Sequence, residues 1–228
     1  MIFFTGDMHG DLTRFRQAEM HPLKKGDTLV VCGDFGFIWD GSKAEKAMLK
    51  KLGKQKYNLC FIDGAHENFE LLNQYPVVEW NGGQAHQISG RLYHLMRGQV
   101  FTIDGKTLFT MGGGISPDDE LRAKDDNHMR WEMPSHEELQ QAATALEKAG
   151  GKVDYIATHE PPMKIKGFLQ LKSQVQSTEP TGLNTYFEEL GKCCEFRRWF
   201  FGSMHIDKVI ASSHVSVFRK VVKAEQQK

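Results

Sequence analysis

Short, unbroken apolar runs set the rhythm of this chain. Ile2-Phe3-Phe4-Thr5, Thr28-Leu29-Val30-Val31-Cys32 and Leu59-Cys60-Phe61-Ile62 lack the polar alternation of a half-exposed strand. That is the pattern of strands buried on both faces, as in a parallel sheet. Between them lie segments with helical spacing. Residues 11–20 read as a helix, with Asp11 as N-cap and Leu12, Phe15 and Met20 on one face. Residues 41–53 read as a lysine-rich amphipathic helix. Strand–helix alternation of this kind predicts an α/β sheet whose site lies at the carboxyl ends of the strands.

The second half changes character. Arg91–Met96 reads as a strand. Gln99–Ile103 and Thr107–Met111, joined by Asp104-Gly105, read as a hairpin. The glycines of Gly112-Gly113-Gly114 allow a close backbone approach to another group. The polar stretch 116–134 is expected to be a surface loop or lid, with Asp118 and Asp119 exposed. Ser135 with Glu138 forms a capping box opening a helix to about Ala149. Val153–Thr158 is a further strand. Residues 163–182 read as irregular, 183–192 as a helix, and Arg198–Phe201 as a strand. Two strand-like runs, 206–211 and 214–222, close the pattern before a frayed tail.

Composition narrows the function classes. The 228 residues are 40% apolar, enough for a sizeable core, and 29 basic residues balance 29 acidic ones. A zero net charge supplies no global field for a long polyanion, so nucleic acid is not indicated as a partner. Lys50, Lys51, Lys54 and Lys56 read as a solvated helix face. Cys32 and Cys60 fall within apolar strands and Cys193 adjoins Cys194, so no disulfide framework is suggested. No apolar run is long enough to span a bilayer and no signal-type segment opens the chain. The expectation is a cytoplasmic protein without membrane association.

Ligand-type side chains gather just beyond the strand-like runs: Asp7 and His9, Asp34, His66, His159 and His205. Asp7 and His9 sit two apart, a spacing that puts side chains of a strand on one face. Carboxylate and imidazole together suit a metal half-site. The blocks Gly6-Asp7-Met8-His9, Gly33-Asp34, Gly64-Ala65-His66-Glu67, His159 and Gly202-Ser203-Met204-His205 together resemble the calcineurin-like metallophosphoesterase superfamily, in order and approximate spacing. Gly112–Ser116 and Trp131–Pro134 also look like its small bacterial members.

The resemblance implies one calcineurin-like domain over residues 1–228, a sandwich of two mixed β-sheets flanked by helices. It implies two divalent ions (manganese, iron or zinc) and hydrolysis of a phosphomonoester or phosphodiester by metal-activated water. Asp7, His9 and His205 would hold the first ion, Asp34 would bridge, and His159 would serve the second. His66 would be the proton donor to the leaving oxygen, with Asp34 beside it in the catalytic set. Residues 33–40 lack the Asp-Arg-Gly of the protein serine/threonine phosphatases.

Two departures matter. Ala65 stands where the family has Asn, and Ser203 where it has the first His of Gly-His-x-His. Both belong to the second ion, so one tight and one weak metal site are expected. The substrate would be a small phosphorylated molecule; a protein partner is left open. The rival readings are a non-catalytic scaffold on the same fold, or a sensor that binds a phosphoester without turnover. His21, His86, His94, His128, His136 and His214 are read as core or surface histidines. Arg197-Arg198 beside Trp199 is read as a strand-edge position rather than a phosphate or base contact.

Overall fold

The computed structural model describes residues 1–20, 22–115, 131–172 and 179–225. In chain order its strands are β1 (Ile2–Thr5), β2 (Thr28–Cys32), β3 (Asn58–Ile62), β4 (Val77–Trp80), β5 (Gly83–Ser89), β6 (Leu92–Leu95), β7 (Gln99–Ile103), β8 (Lys106–Met111), β9 (Tyr155–Thr158), β10 (Arg198–Phe201), β11 (Lys208–Ile210), β12 (His214–Ser216) and β13 (Val222–Lys223). The helices are α1 (Lys43–Leu52), α2 (Phe69–Leu72), α3 (His136–Lys148), α4 (Met163–Lys172) and α5 (Gly182–Cys193).

The strands form two mixed sheets. One has the order β13-β1-β2-β3-β6-β5-β4, the other β11-β12-β10-β9-β8-β7. The parallel strands β1, β2, β3 and β6 form the heart of the first, and β8, β9, β10 and β12 that of the second. Parallel neighbours point their carboxyl ends the same way, so each sheet has one edge where strand tips gather.

Strand alternation explains the layers. In β1, Ile2 and Phe4 face the second sheet while Phe3 faces outward. Phe4 stacks on Phe200 of the opposite sheet at 3.9 Å between ring centroids. Val30, Cys32, Cys60 and Ile62 meet Phe101, Leu108, Tyr155 and Val215 in this central layer. The other faces are covered too: Leu29, Val31 and Phe61 pack with Leu49 and Leu52 of α1. Phe109, Ile156 and Trp199 pack with Leu146, Phe187 and Leu190 of the later helices. Burial on both faces is why these strands read as unbroken apolar runs.

The structure corrects several expectations. Residues 11–20 form two short 3-10 turns, Leu12–Arg16 and Ala18–Met20, rather than one helix. Asp11 caps as expected, accepting from Thr13 N at 2.8 Å, but the chain breaks at Gln17, whose backbone is extended. Residues 163–172 are helical, not irregular. β4, β5 and α2 are additional elements. The run 214–222 is a strand only at His214–Ser216 and again at Val222–Lys223. Most of the stretch read as a lid (116–130), with Asp118 and Asp119, lies outside the described residues, as do His21 and His128.

Candidate metal centre

Five strand tips, from β1, β2, β3, β9 and β10, converge between the sheets. The first tip is a turn rather than an extension of β1. The strand ends at Thr5, and His9 has φ 45°. Asp7 and His9 are therefore brought together by the turn, not by strand alternation. Met8 N and His9 N donate to Asp34 O at 3.0 and 2.9 Å, tying this turn to the β2 tip. Arg14 braces it from behind, donating to Asp7 O at 2.7 Å and Thr5 Oγ1 at 3.1 Å.

Asp34 and His205 also occupy the left-handed region, at φ 44° and 50°. Non-glycine residues held there are uncommon and cluster where surrounding structure fixes a functional geometry. Glycine is required beside them for a different reason. A Cβ on Gly33 would enter the His159 ring, and one on Gly202 would strike Cys32 O and the Asp7 carboxylate. These contacts explain why Gly33 directly precedes Asp34 and why Gly202 opens the turn that leads to His205.

Three overlapping groups have ligand atoms all within 4.8 Å of one another: Asp7, His9 and His205; His9, Asp34 and His66; Asp7, Asp34 and His159. His205 Nε2 lies 2.8 Å from Asp7 Oδ2 and 3.3 Å from His9 Nε2. On the other side, His159 Nδ1 is 3.7 Å from Asp7 Oδ1, and its Nε2 is 3.8 Å from Asp34 Oδ1. His66 Nδ1 lies 2.9 Å from Asp34 Oδ2, and His66 N donates to Asp34 Oδ1 at 2.8 Å. All six predicted residues thus meet in one cleft. The participation of Asp7 on the His159 side was not anticipated. It arises because Asp7 is buried between the β2 and β9 tips and offers an oxygen to each side.

The donor set fits a divalent ion. Asp7 is 1% exposed, and its Oδ1 has no hydrogen-bond donor. A buried carboxylate oxygen facing only imidazoles is costly unless a cation or proton compensates it. Mixed carboxylate and imidazole ligation suits manganese, iron or zinc. Ala65 is buried without a ligating atom. Ser203 Oγ is buried and has no hydrogen-bond partner among the described residues, although Ser203 N donates to His159 O at 3.1 Å.

In the metal-free protein, protons answer these charges. Burial would depress His159, but Asp34, Asp7 and Glu160 raise it to about 9. His205 is raised mainly by its hydrogen bond to Asp7. Burial would raise Asp34, but His159 and the bonds from His66 hold it well below the usual carboxylate range. His9 is lowered by burial. Glu67 is pushed well up by burial and by the nearby Asp34 charge. It accepts from Phe35 N at 2.6 Å and Gly36 N at 3.3 Å, clamping the turn that follows Asp34.

The remaining candidates fall elsewhere. Arg198 begins the interior strand β10 rather than a sheet edge; it bonds the carbonyls of Lys223 and Ala224 and lies over Phe200. Arg197 pairs with Asp154 at 3.1 Å. His214 stacks on Trp199 and His136 bonds Gln140. His86 and His94 are buried and bonded to each other.

The family model for calcineurin-like phosphoesterase matches residues 1–212. The chain belongs to that family. No curated protein matches it. No helix among the described residues is long and apolar enough to cross a membrane.

Proposed function

We propose that this protein hydrolyses a small phosphomonoester or phosphodiester with the help of a divalent ion held by Asp7, His9 and His205, with Asp34 and His159 offering a weaker second position. The observation that supports this most is the convergence of two buried carboxylates and four imidazoles from five strand tips, with Asp7 Oδ1 left without a donor. A bound ion supplies charge neutralisation for phosphate oxygens and acidifies a water.

The residues then have separable roles. Asp34 accepts from His66 Nδ1, which fixes the ring and directs its other nitrogen away from the carboxylate. An imidazole so oriented has the proton affinity to protonate a leaving oxygen near neutral pH. Glu67 and the Met8 and His9 backbone amides hold Asp34 in its left-handed conformation. All four cysteines are free, as suits a reducing compartment such as the cytoplasm.

A second reading is favoured by Ala65 and Ser203: a scaffold or sensor that keeps the fold and binds a phosphoester without turnover. A turnover screen over generic mono- and diesters with manganese separates the two. Hydrolysis that is abolished by a chelator and by Asp7→Asn supports the enzyme. Tight phosphate binding without turnover supports the sensor.

A further inference from the structure

Just past the carboxyl end of β3 a cavity of about 780 Å³ opens, lined by residues that include Asp63, Phe69, His86, Arg97, Trp131 and Met133. Its floor is a hydrogen-bonded chain. Asp63 Oδ1 meets His94 Nε2 at 3.1 Å, and His94 Nδ1 meets His86 Nδ1 at 3.0 Å. The Asp63 carboxylate accepts, so His94 Nε2 carries hydrogen. In that tautomer His94 Nδ1 accepts from His86 Nδ1–H. His86 itself is kept neutral, because burial and the facing His94 lower it to about 4. Its Nε2 is then an acceptor, and it makes no hydrogen bond among the described residues although His86 is 5% exposed.

The wall is tied to this floor. Arg97 donates through Nε and Nη2 to Asp63 Oδ2 at 2.8 and 2.6 Å, and through Nη2 to Trp131 O at 2.8 Å. Trp131 is thereby held at the rim with half its surface exposed. The chain links this cavity to the candidate centre. Asp63 leads directly into the His66 segment, and Phe69 follows three residues later. Its volume is in the range of small-molecule sites, and its lining sets Phe69, Met96, Trp131 and Met133 among polar and charged side chains.

We infer that this cavity seats the organic part of the substrate, and that it takes a flat, N–H-bearing heterocycle of nucleobase size, stacked on Trp131 with its N–H on His86 Nε2. The inference rests on the hydrolase reading only for the phosphate end of the ligand. Ring stacking on an aromatic side chain accounts for a preference on the order of tenfold or more, and one neutral hydrogen bond for about three- to tenfold.

Calorimetric titration of the full chain, loaded with manganese, tests it with adenosine, purine riboside (which lacks the amino group), AMP and ribose 5-phosphate. AMP is expected to bind at least about tenfold more tightly than ribose 5-phosphate, and adenosine more tightly than purine riboside. Trp131→Ala, a change at an exposed rim, should bring AMP and ribose 5-phosphate to near equality. His86→Phe should erase the difference between adenosine and purine riboside. Equal binding of AMP and ribose 5-phosphate, or AMP binding indifferent to Trp131→Ala, overturns the proposal. Adenosine and AMP binding equally tightly, with no affinity for ribose 5-phosphate, would uphold the cavity and instead sink the hydrolase reading.

Discussion

The two sides of the Asp7–Asp34 carboxylate pair are built on similar backbone and furnished with different side chains. On one side His9 and His205 both sit in left-handed turns, His205 Nε2 lying 2.8 Å from Asp7 Oδ2 and 3.3 Å from His9 Nε2. On the other, His159 stands 3.7 Å from Asp7 and 3.8 Å from Asp34, with Ala65 and Ser203 at the two further family positions. Yet Ser203 N still bonds His159 O, and the segment carrying Ala65 still delivers His66 N to Asp34. The difference teaches that side-chain identity and backbone placement are separable here. The backbone frame of the proposed second position persists with Ala65 and Ser203 where the resemblance implies ligands.

Three changes would break or sharpen this contrast. The largest effect is expected from His66→Ala. Losing a positioned proton donor costs about 10²–10⁴-fold in rate. Rapid-quench or steady-state turnover should show that loss while metal content and melting temperature stay unchanged. A fall in metal content would instead make His66 a ligand, as its proximity to His9 and Asp34 allows.

Next is the restoration, Ala65→Asn with Ser203→His. Disturbing even a residue behind a ligand commonly changes metal affinity about 10–100-fold, so adding two direct donors should tighten the second ion by at least that factor. Competition with a fluorescent chelator measures it. Turnover should rise in parallel, and a tightened second ion without faster hydrolysis would favour the sensor reading.

The smallest effect is a pH dependence, expected to be stronger on the second side, where His159 is raised further than His205. In the metal-free protein His159 is raised from near 6.5 to about 9. Folding therefore takes up a proton at this ring. Its contribution to metal-free stability is complete below about 6.5 and is lost as pH rises through about 9. An ion must displace that proton. Second-ion affinity should climb with pH by up to about tenfold per unit and level off above about 9. Titrations at several pH values would show this slope, and a flat profile would mean that His159 is not a ligand.

Much of the candidate site was legible in sequence because its residues follow apolar runs, most of them with a glycine within three residues, as with Gly6-Asp7 and Gly33-Asp34. Their mutual geometry was not. Asp7 serves both sides only because the β1 turn folds back on the β2 tip, which no local pattern encodes. The strands β4 and β5 escaped notice because β4 is only four residues long with Val77 and Glu79 exposed, and β5 interleaves Gln84, His86 and Gln87 with few apolar residues. The turn between them, Asn81-Gly82, with φ 49° and 86°, carried the hairpin signal. Helix α4 was hidden by Gly167 and by an amphipathic pattern too weak to read, with Leu171 89% exposed and Lys166 buried against Glu160. The Asp63–His94–His86 chain crosses three strands and depends on register: His86 faces His94 directly in the β5–β6 pairing.

Metal stoichiometry bears most directly on the asymmetry between the two sides. After loading with manganese and exhaustive dialysis, elemental analysis of the unmodified chain should find close to one ion per chain. Asp7→Asn should lower it toward zero, and the Ala65→Asn, Ser203→His variant should approach two. Two tightly held ions in the unmodified chain, or none, would contradict the account.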